Sequence, residues 1–446
     1  LTAKAALSGY EHTFLYKGGS SLRVATRKSG FSEYIKYVSL SVAAMVCVSI
    51  YVLADTWFIS VALGADGLTA LNISIAVFSV IHGFGLMIGI GGATRFSIKK
   101  VQPDEIFTHA LVHGMIVAVI FVAVGLFFAP QTARLLGARD DVLPLTIAYM
   151  RTILLFSPVL IANNILVAFV RNDNNPKLAT AGLVTASVAN IILDGVFLFV
   201  LGWGMFGAAL ATGLAFAICL VIVSSHFWGR RLRGCRIKIR ELVKIDILGS
   251  SALINELAFA VSLITFNLVI LRLAGNVGVA AFGVVANIAI IVISVFTGVA
   301  QGIQPLISGR ASGEGRKILK YALVTVAIIA IIVYAAIFFA AEPVVSAFNR
   351  DDDVVFAELA VSGLRIYFIG LFFAGINFIA AAFFSASDKP KQAILVSLLR
   401  SCVINIPAVI VLGAIFGIGG VWAAFVVTEV IVAGVAVVLL VLRFRK

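Results

Sequence analysis

Long apolar runs separated by short polar breaks make up the chain from residue 33 onward. They lie at about 34–59, 68–97, 106–129, 142–169, 178–201, 205–227, 246–272, 279–308, 319–341, 356–385, 392–415 and 418–442. Each is near or above the ~20 residues with which an α-helix crosses ~30 Å of hydrocarbon. The longer ones imply tilt or helical extension beyond the bilayer. Ten-residue strands of alternating polarity, the signature of a membrane β-barrel, do not occur. Lipid offers no partner for a free backbone N–H or C=O, so closed helices are the remaining solution. The pattern predicts an all-α integral membrane protein with about twelve transmembrane helices.

The breaks differ in charge. Even-numbered connections carry Arg95, Lys99 and Lys100, then Arg171 and Lys177, then Arg230, Arg231, Arg233, Arg236, Lys238, Arg240 and Lys244. Further along they carry Arg310, Arg316, Lys317 and Lys320, then Lys389 and Lys391. Odd-numbered ones offer Arg134, Arg139, Arg272 and Arg350, with acids such as Asp140, Asp141 and Asp351 to Asp353. Positive loops stay inside, so both termini and the even connections are expected in the cytoplasm of a cell-membrane protein. Residues 1–32 are polar without an apolar core, and read as a cytoplasmic tail or a fused segment rather than a signal peptide.

The runs also repeat. Asn72-Ile73-x-Ile75-x-Val77-x-Ser79-Val80-x-x-Gly83 recurs from Asn287 to Gly298 at an offset of 215. Arg151, Asn163, Phe169, Pro176 and Lys177 recur as Arg365, Asn377, Phe383, Pro390 and Lys391 at an offset of 214. Gly204-x-x-Gly207 recurs as Gly417-x-x-Gly420. Two six-helix bundles follow, 33–227 and 245–446, joined by a basic cytoplasmic linker at 228–244. Six is even, so the repeat is parallel, with its axis along the membrane normal and a central cavity between the halves.

Composition then removes whole classes of function. With 61% hydrophobic and 12% charged residues and a mean hydropathy of +1.11, the chain cannot present a water-facing surface all round. A soluble enzyme, a disordered chain and a collagen-like fibre are excluded. The +13 net charge would suggest nucleic acid in a soluble protein, but here it resides largely in loops. Cys47, Cys219 and Cys402 lie in apolar runs and Cys235 on a basic loop, without metal or disulfide spacing. The stripe Gly83-x-Gly85-x-x-x-Gly89-x-Gly91-Gly92 permits close helix approach. It is not a dinucleotide fingerprint, and neither a Walker motif nor a catalytic dyad occurs, so no enzyme and no organic cofactor is expected.

The informative residues are acids inside the runs: Asp55, Asp194, Glu256 and Glu429. An ionised carboxylate at a helix centre costs roughly 2.5–3.5 kcal/mol, which makes each a functional candidate unless a buried Arg pairs with it. Asn190 lies one helical turn before Asp194, and Thr212 lies in the following run. Alone, either reads as an interhelical hydrogen bond. Two carboxylates, an amide and a hydroxyl form an all-oxygen set suited to Na+, and the carboxylates could equally hold a proton. Arg400 could neutralise Glu429 or Glu256. Arg151 and Arg365 read as snorkelling or helix-pairing residues, and His82 as a hydrogen-bonded core residue. Pro158, Pro305 and Pro407 are expected to kink their spans.

From about residue 33 to its end the chain resembles the multidrug and toxic compound extrusion (MATE) family. The likeness rests on the two halves, on Ala54-Asp55-Thr56-Trp57-Phe58-Ile59, and on Leu63-Gly64. It rests also on Gln301-Gly302-Ile303-Gln304-Pro305-Leu306, and on Asn190-x-x-x-Asp194 followed by Gly207-Ala208-Ala209-x-Ala211-Thr212. The resemblance implies secondary active efflux of small amphipathic, often cationic compounds, driven by inward Na+ or H+ flow. Asp55, Asn190, Asp194 and Thr212 match the family's amino-terminal cation site. Glu256 matches an acid that some members carry in the seventh helix, whereas Glu429 has no such counterpart. The first span lacks the proline at which many relatives bend it, and the seventh lacks the one common near its start. A monomer is expected. The alternative within transport is a flippase for a lipid-linked sugar, which usually has additional spans and a basic central cavity. A membrane enzyme would show clustered His or acidic metal motifs at a membrane face, which the sequence lacks, and a receptor would not need a duplicated bundle.

Overall fold

The computed structural model describes residues 30–98, 103–228, 237–308, 312–348 and 353–445. The tail up to residue 29, Lys99, Lys100, Arg230, Arg231, Arg233, Cys235, Arg236, Arg310, Arg350, Asp351 and Asp352 lie outside the described residues. Helix begins at Phe31, two residues inside the stretch expected as tail.

The described residues form helices and short connections, without a strand. In chain order the spans are α1 Phe31–Gly64, α2 Asp66–Ile98, α3 Asp104–Phe127, and α4, made of Val142–Leu155 and Ser157–Asn172. Next come α5 Pro176–Val200, α6 Gly204–Phe227, α7 Ile239–Gly275, α8 Val277–Ile307, α9 Gly313–Ser346 and α10 Val354–Ala386. The 56-residue stretch Pro390–Arg445 reverses at Gly417 and supplies both α11 (390–416) and α12 (418–445). Ten stretches are long and apolar enough to span, eleven with the bent α4 counted as one, and the break at Gly417 makes twelve. The protein is therefore an all-α, multi-span membrane protein.

Single glycines make three of the turns between spans. Gly64, Gly275 and Gly417 have φ of 64°, 62° and 60° with ψ near −150°, a region open essentially to glycine alone. α4 bends by 50° between its two legs. Pro158 cannot donate to the Leu154 carbonyl, and the Ser157 hydroxyl donates to it instead at 2.7 Å. Pro305 stays within α8 without breaking it, and Pro407 falls in the first turn after a π-turn at Leu399–Val403.

Each half has its own apolar core, but α1 and α7 exchange ends. Tyr34, Tyr37 and Val38 of α1 pack in the core of the second half, and Ile245 of α7 packs in that of the first. Glycines bring the crossing helices to backbone contact. A Cβ on Gly249 of α7 would fall on the Met87 carbonyl oxygen of α2, and one on Gly91 on the Ile245 oxygen. Reciprocally, a Cβ on Gly298 would come within 2.6 Å of the Val42 Cα, and one on Gly302 within 2.8 Å of the Val38 Cα. The equivalents Gly83 and Gly298 thus each face the first helix of the opposite half, α7 and α1. The glycine stripe of α2 divides its work. Gly85 and Gly89 seat on Asn164 of α4, while Gly83 and Gly91 meet α7.

These approaches lie toward the face that bears the basic even-numbered connections. Polar contacts reinforce them there. Arg95 pairs with Glu241 at 3.1 Å, and the Lys238 N–H donates to His109 Nε2 at 3.1 Å. The Tyr34 hydroxyl donates to Thr325 Oγ1 at 2.7 Å. The halves are closed on the basic face.

Candidate functional site

The first-half cluster is built on α1, α4, α5 and α6. Asp194 is fully buried near the end of the α-helical part of α5, two residues before a π-turn at Val196–Val200. Such turns shift the register of the side chains that follow and recur at functional positions. Asp55 of α1 is 8% exposed, and the two carboxylates are close enough to repel each other when both are charged. Asn190 Nδ2 donates to Thr212 Oγ1 at 3.4 Å. The structure therefore brings all four residues of the sequence-derived set into one region.

Thr212 aside, the oxygens of these residues lack donors among the described residues. Both carboxylate oxygens of Asp194, Oδ1 of Asp55 and Oδ1 of Asn190 are buried without a hydrogen-bond partner among the described residues. Buried acceptors are nearly always satisfied, so four orphans in one region require an explanation. Converging oxygens without donors fit a hard monovalent cation or a shared proton. Among the described residues no group of three or more His, Cys, Asp or Glu assembles to hold a metal ion.

Two tyrosines join the cluster unannounced by the sequence. Buried Tyr149 of α4 lies beside Thr212 and within electrostatic reach of both aspartates. Tyr51, one turn before Asp55 on α1, faces the same charges. A tyrosine in an apolar run resembles a packing or interfacial residue, so only the helix rotation reveals them.

A second arrangement occupies the other half. A cavity of about 270 Å³ lies between α2, α7, α8, α10, α11 and α12, lined mainly by apolar side chains. Glu256 and the pair Arg400–Glu429 supply its charge. Arg400 Nε donates to Glu429 Oε1 at 2.6 Å, and its guanidinium stacks 3.8 Å from the Phe378 ring centroid. Asn377 Nδ2 donates to Glu429 Oε2 at 2.7 Å and to the Glu429 carbonyl at 3.0 Å. Of the two acids Arg400 could neutralise, it takes Glu429. Glu256 packs its stem near Gly83 and has no hydrogen-bond or ion-pair partner among the described residues. It is the free negative charge of the cavity.

The pairing has a measurable consequence. Arg400→Met leaves the Glu429 carboxylate buried without its cation and is expected to cost about 2 kcal/mol. The melting temperature of the detergent-solubilised protein should fall for this variant and recover in the double variant with Glu429→Leu.

A smaller cavity of about 90 Å³ lies within the first half, between the cluster and the basic face. His82 reaches it and shares a 3.1 Å hydrogen bond with Asn164, as a core histidine would. Arg171, read from sequence as a loop base, is instead 6% exposed and donates to Gln301 Oε1 of the opposite half at 2.7 Å. The last turn of α4 carries it inward, so the charge pattern of the connection alone misplaces it. Arg365 pairs with Glu342 at 3.0 Å, and Arg151 is exposed.

Comparison with known proteins agrees with this architecture. The MatE family model matches residues 41–196 and 252–411, one stretch in each half. The multidrug export protein MepA of Staphylococcus saprophyticus is 26% identical over 398 residues, covering 86% of this chain and 87% of that protein. The MATE multidrug transporter DinF-BH, solved as a ligand complex, superposes with a TM-score of 0.84 at 25% identity, over 93% of this chain and 96% of that one. A multidrug resistance MATE transporter of the MOP superfamily in an outward-facing conformation gives 0.83 at 21% identity, over 92% and 95%. With its model matched in both halves, the chain belongs to the multidrug and toxic compound extrusion family.

Proposed function

We propose that the protein is a secondary active antiporter that expels amphipathic, often cationic organic compounds against inward flow of Na+ or H+. The observation that carries this reading is the set of buried oxygens without donors on Asp55, Asn190 and Asp194. A monovalent cation visiting them supplies the missing partner, and its gradient supplies the work. Thr212 completes the set through Asn190. Glu256, unpaired in the apolar cavity, balances a substrate's positive charge. Glu429 contributes as half of a neutral pair with Arg400.

The basic face is the cytoplasmic one by the positive-inside rule, which puts both termini in the cytoplasm of the cell membrane. Closure on that face excludes an inward-open state for this conformer. A cation that favours this state over the inward-open one is needed, since equal affinity for both would shift nothing. Both halves and both cavities belong to one chain, so a monomer suffices.

The test is dye efflux from proteoliposomes with a Na+ gradient and a pH gradient imposed separately. One of the two is expected to drive efflux of a cationic dye. Efflux that neither gradient accelerates refutes the antiport reading.

A further inference from the structure

The small cavity leads from the acidic cluster toward the basic face. Its upper wall includes Asn190 and Thr212, and its lower end is Arg171 against Gln301. Along α5 its lining runs from Asn190 to Leu183, two helical turns or about 10 Å. Polar side chains, among them His82, Asn163, Asn164 and Ser187, interrupt walls that are otherwise apolar. Asn163 is 1% exposed, and neither polar atom of its amide has a partner among the described residues. Its repeat equivalent, Asn377, spends its amide N–H groups on Glu429. The first half keeps the asparagine but has apolar side chains, Ala215 and Phe216, at the positions matching that acid. A buried amide left open on a cavity of about 90 Å³ that also carries other polar groups is a seat for water, since a single water needs only ~10–15 Å³ of such volume.

Arg171 closes this hydrated path with a fixed positive charge. Its guanidinium donates to the side-chain amide oxygen of Gln301 and forms no ion pair with a carboxylate among the described residues. An unneutralised arginine at a constriction raises the barrier to any cation, sodium or proton alike.

We propose that the cavity is the inward limb of the coupling cation's path, and that Arg171, clamped by Gln301, is its plug. The inference rests on the antiport reading and adds the route and its gate. Gln301 belongs to α8 of the opposite half, so the motion that separates the halves on the basic face removes the clamp. Arg171 sits in the last turn of α4, from which its long side chain can then reach the aqueous face. Ion release is thereby tied to the motion that turns the substrate cavity inward.

The test measures cation flux into substrate-free proteoliposomes, with radiolabelled sodium under a Na+ gradient and an internal pH dye under a proton gradient. Gradient-driven dye efflux is recorded in the same vesicles. Arg171→Gln is expected to raise substrate-free flux of the coupling cation about tenfold, because a unit charge no longer opposes it. Arg171→Lys, which keeps the charge, is expected to leak less than Arg171→Gln. Gln301→Leu should leak as well, and Asn163→Leu should slow coupled efflux several-fold without a leak. If Arg171→Gln fails to fold, Gln301→Leu and Asn163→Leu carry the test. Tight vesicles for both Arg171→Gln and Gln301→Leu, or full coupled efflux in Asn163→Leu, overturn the proposal. Wild-type protein that responds to neither gradient would instead sink the antiport reading, so the two failures are distinguishable.

Discussion

Asp194→Asn is expected to bring ion-driven efflux to background, at least about 100-fold below wild type, while leaving the protein as stable or more so. Asp194 is fully buried and both of its carboxylate oxygens lack donors. Holding an ionised carboxylate inside a membrane bundle costs roughly 2.5–3.5 kcal/mol, and asparagine removes that cost with almost the same shape. A purely structural acid would behave in the opposite way, because its removal would strand a partner. Loss of 100-fold in cation affinity corresponds to about 2.7 kcal/mol, within reach of one direct charge–cation contact in a low-dielectric site. The two readouts are dye efflux from proteoliposomes and melting temperature in detergent. Undiminished efflux would remove Asp194 from the coupling site. Asp55→Asn should give the same pairing of effects.

Gly249→Val is expected to abolish transport by a different route. A Cβ at this position falls on the Met87 carbonyl of α2, so the backbones must part by roughly 1–1.5 Å to reach van der Waals contact. Overpacking of this kind costs about 1–3 kcal/mol, charged only to the state in which α2 and α7 touch. A two-state equilibrium moves by about tenfold for each 1.4 kcal/mol, so the closed basic face becomes the minor state. Thiol labelling at Ala252→Cys, which lines the large cavity, should become fast from the basic face in the Gly249→Val background. Gly434→Val, whose Cβ meets nothing within 4 Å, should leave both labelling and efflux at the parent level. Equal labelling in all backgrounds would show that the α2–α7 contact does not govern the state.

Much of this molecule is legible along the chain because a bilayer enforces a simple grammar. The twelve spans, the duplicated halves and the acids that lipid should reject all follow from position and cost. The placement of Asp55 with Asp194 depends on more, since α1 and α5 must present the right faces to each other. Rotation about a helix axis is set by packing, and helices that are apolar nearly all round carry little sign of it. That is why Tyr149 and Tyr51 pass unnoticed in the sequence. It is also why Arg400 had two acids to choose from until Phe378 and Asn377 fixed its position beside Glu429. The sequence misplaces Arg171 because a base near a loop looks the same whether its stem turns outward or in. The glycine stripe of α2 announces close approach, but only the phase of the helix assigns Gly91 to α7 and Gly89 to α4.

The exchanged seats of α1 and α7 also constrain biogenesis. When α1 leaves the insertion machinery, the partners of Tyr34, Tyr37 and Val38 on α8 and α9 have not been synthesised. The nascent first bundle is therefore provisional, with an aromatic edge that lipid or a chaperone must cover until its later sibling arrives. Severed between the bundles, the polypeptide should be recovered as two pieces only when both are translated in the same cell.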